Sequence, residues 1–321
     1  MITRKHALGI SAGVFMTLAG ATAAQAIECI APSAPGGGWD FTCRSVSKLL
    51  YDLKLVETPI QVTNITGATG AVAFAQVAQD RAADGELLVA TSTMSTVMMA
   101  QNKYPGDVDT MRWVATLGTD VGVVLVGKDS RFKNLQDLVN EMKAKPDSIV
   151  NGGAIYDHLR LLSIAKAAGL SAEDLAKIRM VHYNGCGESI PAVMGGHIEV
   201  TTCDLGEAGP FVESGDVRVL AALGENRPLP PFQDVPTAKE QGFDVLGYNW
   251  RGFYVGGDVS DADYNKWSEK LDTLYKSKEW TDTAQAAGLQ PIWMSGEEFE
   301  GFVRKSVEDM TALSKEVGIL K

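Results

Sequence analysis

Short apolar runs alternate with helical patterns along most of this chain. Strands are predicted at Glu28–Pro32, Ile60–Asn64, Glu86–Thr91, Gly122–Gly127, Ile149–Gly152, Ile178–Tyr183, Ile198–Thr202 and Val217–Leu223. Between them lie helical patterns at Trp39–Leu53, Gly70–Gln79, Leu135–Ala144, Asp157–Ala168, Ser189–Met194 and Glu207–Val212. Apolar strands joined by helices imply an α/β protein with mostly parallel sheets covered on both faces. The alternation predicts two lobes, 27–125 with 251–321 and 126–250, preceded by a leader over 1–26. Tyr248–Gly256 reads as an extended return crossing, and helices follow at Asp261–Lys276, Thr281–Ala287 and Gly296–Val317. A chain that crosses between lobes twice has a hinge that can close on a ligand. In such sheets the ligand loops lie at the carboxyl ends of the strands. No internal repeat of solenoid period breaks the pattern.

The first residues place the protein. Arg4, Lys5 and His6 precede a mostly apolar Ala7–Gly20, and Ala24-Gln25-Ala26 is a small-x-small cleavage site. That is the pattern of a secretory signal peptide. Its apolar core falls short of the roughly 20 residues that a membrane span needs. Cys29 lies too far along to be a lipobox cysteine, so a soluble periplasmic protein is expected. Residues 27–321 carry 27 basic and 40 acidic side chains once Arg4 and Lys5 are gone, a net charge of −13. So acidic a surface argues against nucleic acid and anionic membranes as partners.

Four cysteines in an oxidising compartment suggest disulfides and allow three pairings. Cys29 lies on the first strand and Cys43 in the first turns of the next helix. Cys186 follows one strand of the second lobe and Cys203 ends another. Cys29–Cys43 with Cys186–Cys203 is the pairing expected from those positions. No C-x-x-C and no histidine at ligand spacing points to a metal.

Between Cys29 and Cys43 runs Pro35-Gly-Gly-Gly-Trp-Asp40, a glycine-rich turn from strand to helix. Such a turn brings backbone N–H groups and the positive end of a helix dipole to a ligand, which suits a phosphate or carboxylate. Asp40, in the first helical turn, can cap the helix or meet the ligand. Arg251 can supply a bidentate cation to a carboxylate, or pair with Asp244 or Asp258. Arg44 and Arg160 are further candidate cations that can equally face solvent. His158, His182 and His197 form no readable Ser-His-Asp or Cys-His grouping, so an enzyme is not expected. The enzyme alternative would need a free thiol at Cys186 or Cys203.

The chain resembles the periplasmic receptors of tripartite tricarboxylate transporters. The resemblance rests on Glu28-Cys-Ile-Ala-Pro32 with Pro35-Gly-Gly-Gly-Trp-Asp-Phe-Thr-Cys43, and on Asn64-Ile-Thr-Gly-Ala-Thr-Gly-Ala-Val-Ala73. It continues in Arg218-Val-Leu-Ala221, Val235-Pro-Thr-Ala-Lys-Glu-Gln-Gly242, Arg251-Gly-Phe-Tyr-Val-Gly256 and Val259-Ser-Asp-Ala-Asp-Tyr264. The paired cysteines around the first glycine loop and the Arg251–Gly256 segment look most like the citrate branch. The resemblance implies a two-lobe Venus flytrap fold without a cofactor or catalysis. It implies a monomer that captures a citrate-like carboxylate and delivers it to inner-membrane permease subunits; a sensor partner is the related alternative. It implies ligand contacts at Ala34, Pro35, Gly36, Gly37, Trp39 and Asp40, and at Gly67, Ala68, Thr69 and Gly70. The hydroxyl-rich third loop, Thr91–Ser95, would contribute Ser92 and Thr93. The opposite lobe would contribute Gly153 and Ala154 within the loop Gly152–Tyr156, then Gly185, Cys186 and Gly187 within the loop Asn184–Glu188, then Asp204. Arg251 would stand in the crossing segment. Cys186, Cys203 and the bulky Gly152-Gly-Ala-Ile-Tyr-Asp-His158 depart from the family pattern, which leaves the far end of the cleft, and so the particular acid, open.

Overall fold

The computed structural model describes residues 26–183 and 185–320. The expected signal peptide lies outside these residues except for Ala26, and so does Asn184. In chain order the elements are β1 (Glu28–Ala31), α1 (Gly38–Asp52), β2 (Gln61–Asn64), α2 (Ala71–Asp80), β3 (Leu87–Ser92), α3 (Thr93–Ala100) and β4 (Met111–Gly127). Then come α4 (Leu135–Ala144), β5 (Val150–Gly153), α5 (Ile155–Ala167), α6 (Ala172–Leu175), β6 (Arg179–His182), α7 (Cys186–Met194), β7 (Val200–Asp204), α8 (Leu205–Glu213) and β8 (Val217–Ala222). The chain ends with β9 (Tyr248–Gly256), α9 (Asp261–Tyr275), α10 (Lys278–Ala286) and α11 (Gly296–Glu316). Among the described residues no helix is long and apolar enough to cross a membrane.

The strands run in the order β2-β1-β3-β9-β4-β7-β5-β6, with β8 on β4. Parallel pairing joins β1 to β2 and β3, and β5 to β6 and β7. The connecting strands are antiparallel: β9 lies between β3 and β4, and β4 also pairs β7 and β8. The sheets are therefore mixed rather than mostly parallel. A strand that carries the chain from one lobe to the other returns against its neighbours, and no helix intervenes to reverse it.

β4 is the spine. Met111–Val121 pairs β9, and from Gly122 the same strand continues beside β7 and β8. The sequence pattern predicts only its second half as a strand. Ala115-Thr-Leu-Gly-Thr-Asp120 lacks both apolar continuity and alternation, yet Ala115 to Asp120 are all buried. Burial on both faces, not propensity, makes this segment a strand.

Two apolar layers flank each half of the sheet. On one face of β1, β3 and β9, α1, α9 and α10 bury Val46, Leu50, Trp267, Leu271 and Trp280. On the other face α2, α3 and α11 enclose Phe74, Met98, Trp113, Trp250, Tyr254 and Phe299. Trp250 and Phe299 meet edge to face with ring centroids 5.2 Å apart. In the second lobe α4 and α5 pack one face through Leu138, Leu159 and Ile164. There α7 and α8 pack the other through Ile190, Val193 and Ala208. The expected hydroxyl-rich loop Thr91–Ser95 is the end of β3 and the start of α3, with Thr91, Ser92, Thr93 and Ser95 all buried. Ser92 caps that helix by accepting from the Met94 N–H at 3.2 Å.

Candidate functional site

A cavity of about 260 Å³ lies between the lobes. Its walls include Ser33, Gly38, Trp39, Thr69, Ser92 and Met94 from the first lobe. Ala154, Tyr156, Asp157, Arg160, Gly185, Cys186, Asp204 and Glu207 come from the second, and Asn249 and Arg251 from β9. Larger hollows occur elsewhere, including one of about 860 Å³ between α8, α10 and residues 229–232. That groove lacks buried polar groups at helix starts, and the smaller cavity has them.

The first glycine loop is braced from behind. The disulfide Cys29–Cys43 ties β1 to α1. Asp40 is buried, and its carboxylate accepts from the Gly36 N–H at 2.9 Å, from Arg44 Nε at 2.9 Å and from Asn64 Nδ2 at 2.8 Å. The Arg44 hydrogen bond, with the Gly36 and Asn64 donors, outweighs burial and holds the Asp40 carboxyl down at about 2. Asn64 Nδ2 also donates to the Ser33 carbonyl at 2.9 Å. Asp40 therefore shapes the loop rather than lining the cavity, and Arg44 is its partner. The N-cap of α1 is Gly37, so no side chain caps its start, and the acid of its first turn, Asp40, is engaged by the Gly36 N–H, Arg44 and Asn64. Ala34, Pro35 and Gly36 form an exposed rim, with Gly37 half-buried behind it.

The second loop is strained. Gly67, Ala68, Thr69 and Gly70 all have positive φ, at 134°, 45°, 50° and 90°. Two non-glycine residues in the left-handed region cost on the order of 1–3 kcal/mol each. Tyr104 helps hold them: its buried hydroxyl donates to the Thr69 carbonyl at 2.9 Å. Of this loop Thr69 reaches the cavity wall, and Gly67, Ala68 and Gly70 set its backbone. Thr93 is spent on β9, donating to the Tyr248 carbonyl at 2.9 Å and accepting from the Trp250 N–H at 3.2 Å.

The second lobe contributes buried charge. Arg160, read from sequence as either a candidate cation or a solvent-facing residue, is 3 % exposed. It donates to Asp204 at 2.5 Å and to the Gly247 carbonyl at 2.7 Å, lies 3.4 Å from Asp157, and stacks on Tyr156 with its guanidinium carbon 4.2 Å from the ring centroid. Asn249 donates to the other Asp204 oxygen at 2.5 Å. Burial alone would raise Asp204, but Arg160, Arg251 and Asn249 hold it lowered. Burial pushes Asp157 up to about 7 against the pull of Arg160. Burial, then the charge of Asp204, pushes Asp120 to about 7. His158 is buried beside Asn151 and pushed down to about 4 by that burial, a neutral core histidine. Gly153 lies buried under Ala154, and Gly187 is exposed.

Arg251 differs from Arg160. Its nearest acid is Asp204 at 4.0 Å, not Asp244 or Asp258 as expected, and it makes no hydrogen bond among the described residues. It lies against the start of α1, where a Cβ built on Gly38 would sit 2.7 Å from Arg251 Nη1. A mobile-ended cation beside an uncapped helix start is a carboxylate cradle. The walls of the cavity include five helix starts: Gly38 of α1 and the capping residues Ser92, Ala154, Gly185 and Asp204. Sequence reasoning named eight of the wall residues as ligand contacts: Trp39, Thr69, Ser92, Ala154, Gly185, Cys186, Asp204 and Arg251. It placed Tyr156 at the end of the expected loop Gly152–Tyr156, and did not assign contacts to Ser33, Gly38, Met94, Asp157, Glu207 or Asn249. Asp157, Glu188 and Glu207 each stand third in a helix, a repeated signal that could have found two of them. Cys186 and Cys203 are bonded to each other, so the thiol nucleophile of the enzyme alternative is gone.

A two-lobe α/β fold with an anion-suited cavity between the lobes defines a solute-binding protein. The tripartite tricarboxylate transporter family receptor profile matches residues 48–319, and the chain belongs to that family. BugT of Bordetella pertussis is 24% identical over 323 residues, covering 95% of this chain and 96% of its own. A UPF0065 protein in the gbd 5′ region of Cupriavidus necator is 25% identical over 320 residues, covering 98% and 94%. The fold matches a TctC solute binding protein from Polaromonas with a TM-score of 0.75 at 21% identity, over 90% of this chain and 98% of that one. It matches MatC from Rhodopseudomonas palustris with bound malate at 0.70 and 18%, over 90% and 98%. A second R. palustris protein, solved with adipate, matches at 0.74 and 18%, over 91% and 97%.

Proposed function

We propose that this protein is a monomeric periplasmic receptor that captures a small organic carboxylate between its lobes and hands it to an inner-membrane tripartite transporter. The lobes in this reading are 27–125 with 251–321, and 126–250. The observation that carries it is Arg251, an uncommitted guanidinium packed against the uncapped start of α1. One carboxylate of the ligand lies there, among the N–H groups of the first glycine loop, with Thr69, Ser92 and Trp39 around it. Malate and adipate in the related R. palustris structures are consistent with an acid of this size. The citrate-like ligand implied by the sequence motifs belongs to the same reading.

Thermal shift of the purified protein against mono-, di- and tricarboxylates, aromatic acids and acidic amino acids tests it. A ligand at 100 times its Kd adds about 2.7 kcal/mol to the stability of the state that binds it. A clear shift with at least one acid is expected; no shift with any member of the panel overturns the reading.

A further inference from the structure

The two sides of the cavity differ in sign. On the first-lobe side stand Arg251 and the start of α1, whose own acid, Asp40, is turned onto Gly36, Arg44 and Asn64. Trp39 is 8 % exposed, and its ring forms part of the wall. On the second-lobe side stand acceptors. Each of α5, α7 and α8 carries an acid in its first turn: Asp157, Glu188 and Glu207. These helix starts are therefore already matched by the protein's own carboxylates. Asn249, 7 % exposed, has its Oδ1 buried without a partner.

Asp204 and Glu207 line the cavity against Arg160 and Arg251, with Asp157, whose proton is held up to about 7, beside them. Arg160 is held by Asp157, Asp204 and the Gly247 carbonyl, although its Nε is buried without a partner. Arg251 is thus the cation left for a ligand, and one carboxylate satisfies it. Glu207 has neither a hydrogen bond nor an ion pair among the described residues, although it lies on the wall. A second carboxylate on the ligand would approach Glu207 as a like charge.

We infer that the ligand is a monocarboxylate whose other end carries a hydrogen-bonding cation, such as an alkylammonium group, and that Glu207 is the residue that selects it. This rests on the carboxylate-receptor reading. The carboxylate meets Arg251 and α1, and the cationic end meets Glu207 and the Asn249 carbonyl oxygen. Burial, and then the charge of Asp204, raise the carboxyl of Glu207, an exposed residue at the edge of the cavity.

Isothermal titration with ω-amino acids, simple alkanoates and α,ω-diacids of matched chain length, with citrate alongside, tests the inference. Wild-type protein binds the best ω-amino acid at least about tenfold tighter than the matched diacid, the factor for one charge-assisted contact of about 1.4 kcal/mol. Glu207→Gln collapses that preference and leaves the plain alkanoate within about twofold, while circular dichroism shows an unchanged fold. A diacid or citrate that binds wild type more tightly than every ω-amino acid overturns the inference and leaves the receptor reading standing. So does a preference that Glu207→Gln does not change. Failure of all the acids overturns both.

Discussion

Gly38 offers a way to move Arg251 without touching it. A methyl group at position 38 would lie 2.7 Å from Nη1, 3.0 Å from Cζ and 3.1 Å from Nη2 of Arg251, and its nearest neighbours all belong to that side chain. The guanidinium, the far end of a flexible chain, must swing aside. Asp204, now 4.0 Å away, is the group it would approach. Position 38 opens α1, and alanine is a better helix former than glycine by up to about 1 kcal/mol. Gly38→Ala should therefore keep or slightly raise the melting temperature while binding weakens. Losing an aimed charge-assisted contact costs about 1.5–3 kcal/mol, roughly a 10- to 150-fold rise in Kd. Titration calorimetry with whichever acid gives the largest thermal shift measures it. Arg251→Gln should weaken binding to a similar degree, and the double variant should be no worse than either single one, because both act on one contact. Wild-type affinity in Gly38→Ala, or full additivity in the double variant, would refute the argument.

Three further outcomes are expected. Arg160→Met strands Asp204 as a buried charge and should cost about 3–5 kcal/mol in urea denaturation. Asp157 holds its proton up to about 7 when folded but only to the ordinary carboxyl range when unfolded. Its stabilising contribution is therefore full in acid below the unfolded value and is lost as pH rises through about 7; Asp157→Asn should flatten that decline in melts taken at stepwise pH. Replacing Cys29 and Cys43 with alanine opens a cross-link between residues 14 apart and should cost about 3 kcal/mol, read in denaturant melts without reductant.

Much of the architecture is legible in local pattern. Leu87-Leu-Val-Ala90 reads as a buried strand, and the Pro35-Gly-Gly-Gly38 turn announces the helix start that the cavity uses. Both disulfides follow from where the elements place their cysteines. What stays hidden is decided by contacts distant in sequence. Thr93–Ala100 is buried almost all round, so it shows no polar face and does not read as a helix. Arg160 looks like a surface residue until Asp204, 44 positions later, folds against it. Asp40 illustrates the same limit from the other side. Its place in the first helical turn is readable, but its direction is set by Asn64 on the neighbouring strand.

The chain crosses between the lobes on two strands that are hydrogen-bonded to each other, from Met111↔Gly256 to Val121↔Tyr248, with register shifts near Ala115 and Thr116. A paired ribbon of this kind resists sliding and yields in twist and bend. The bending member also carries the chemistry: β9 presents Asn249 to Asp204 of the far lobe and, two residues on, Arg251 to the near one. Recognition and compliance are thus written into the same few peptide units. A substitution at Asn249 or Arg251 therefore alters the cavity wall and the strand pair that joins the lobes at the same time.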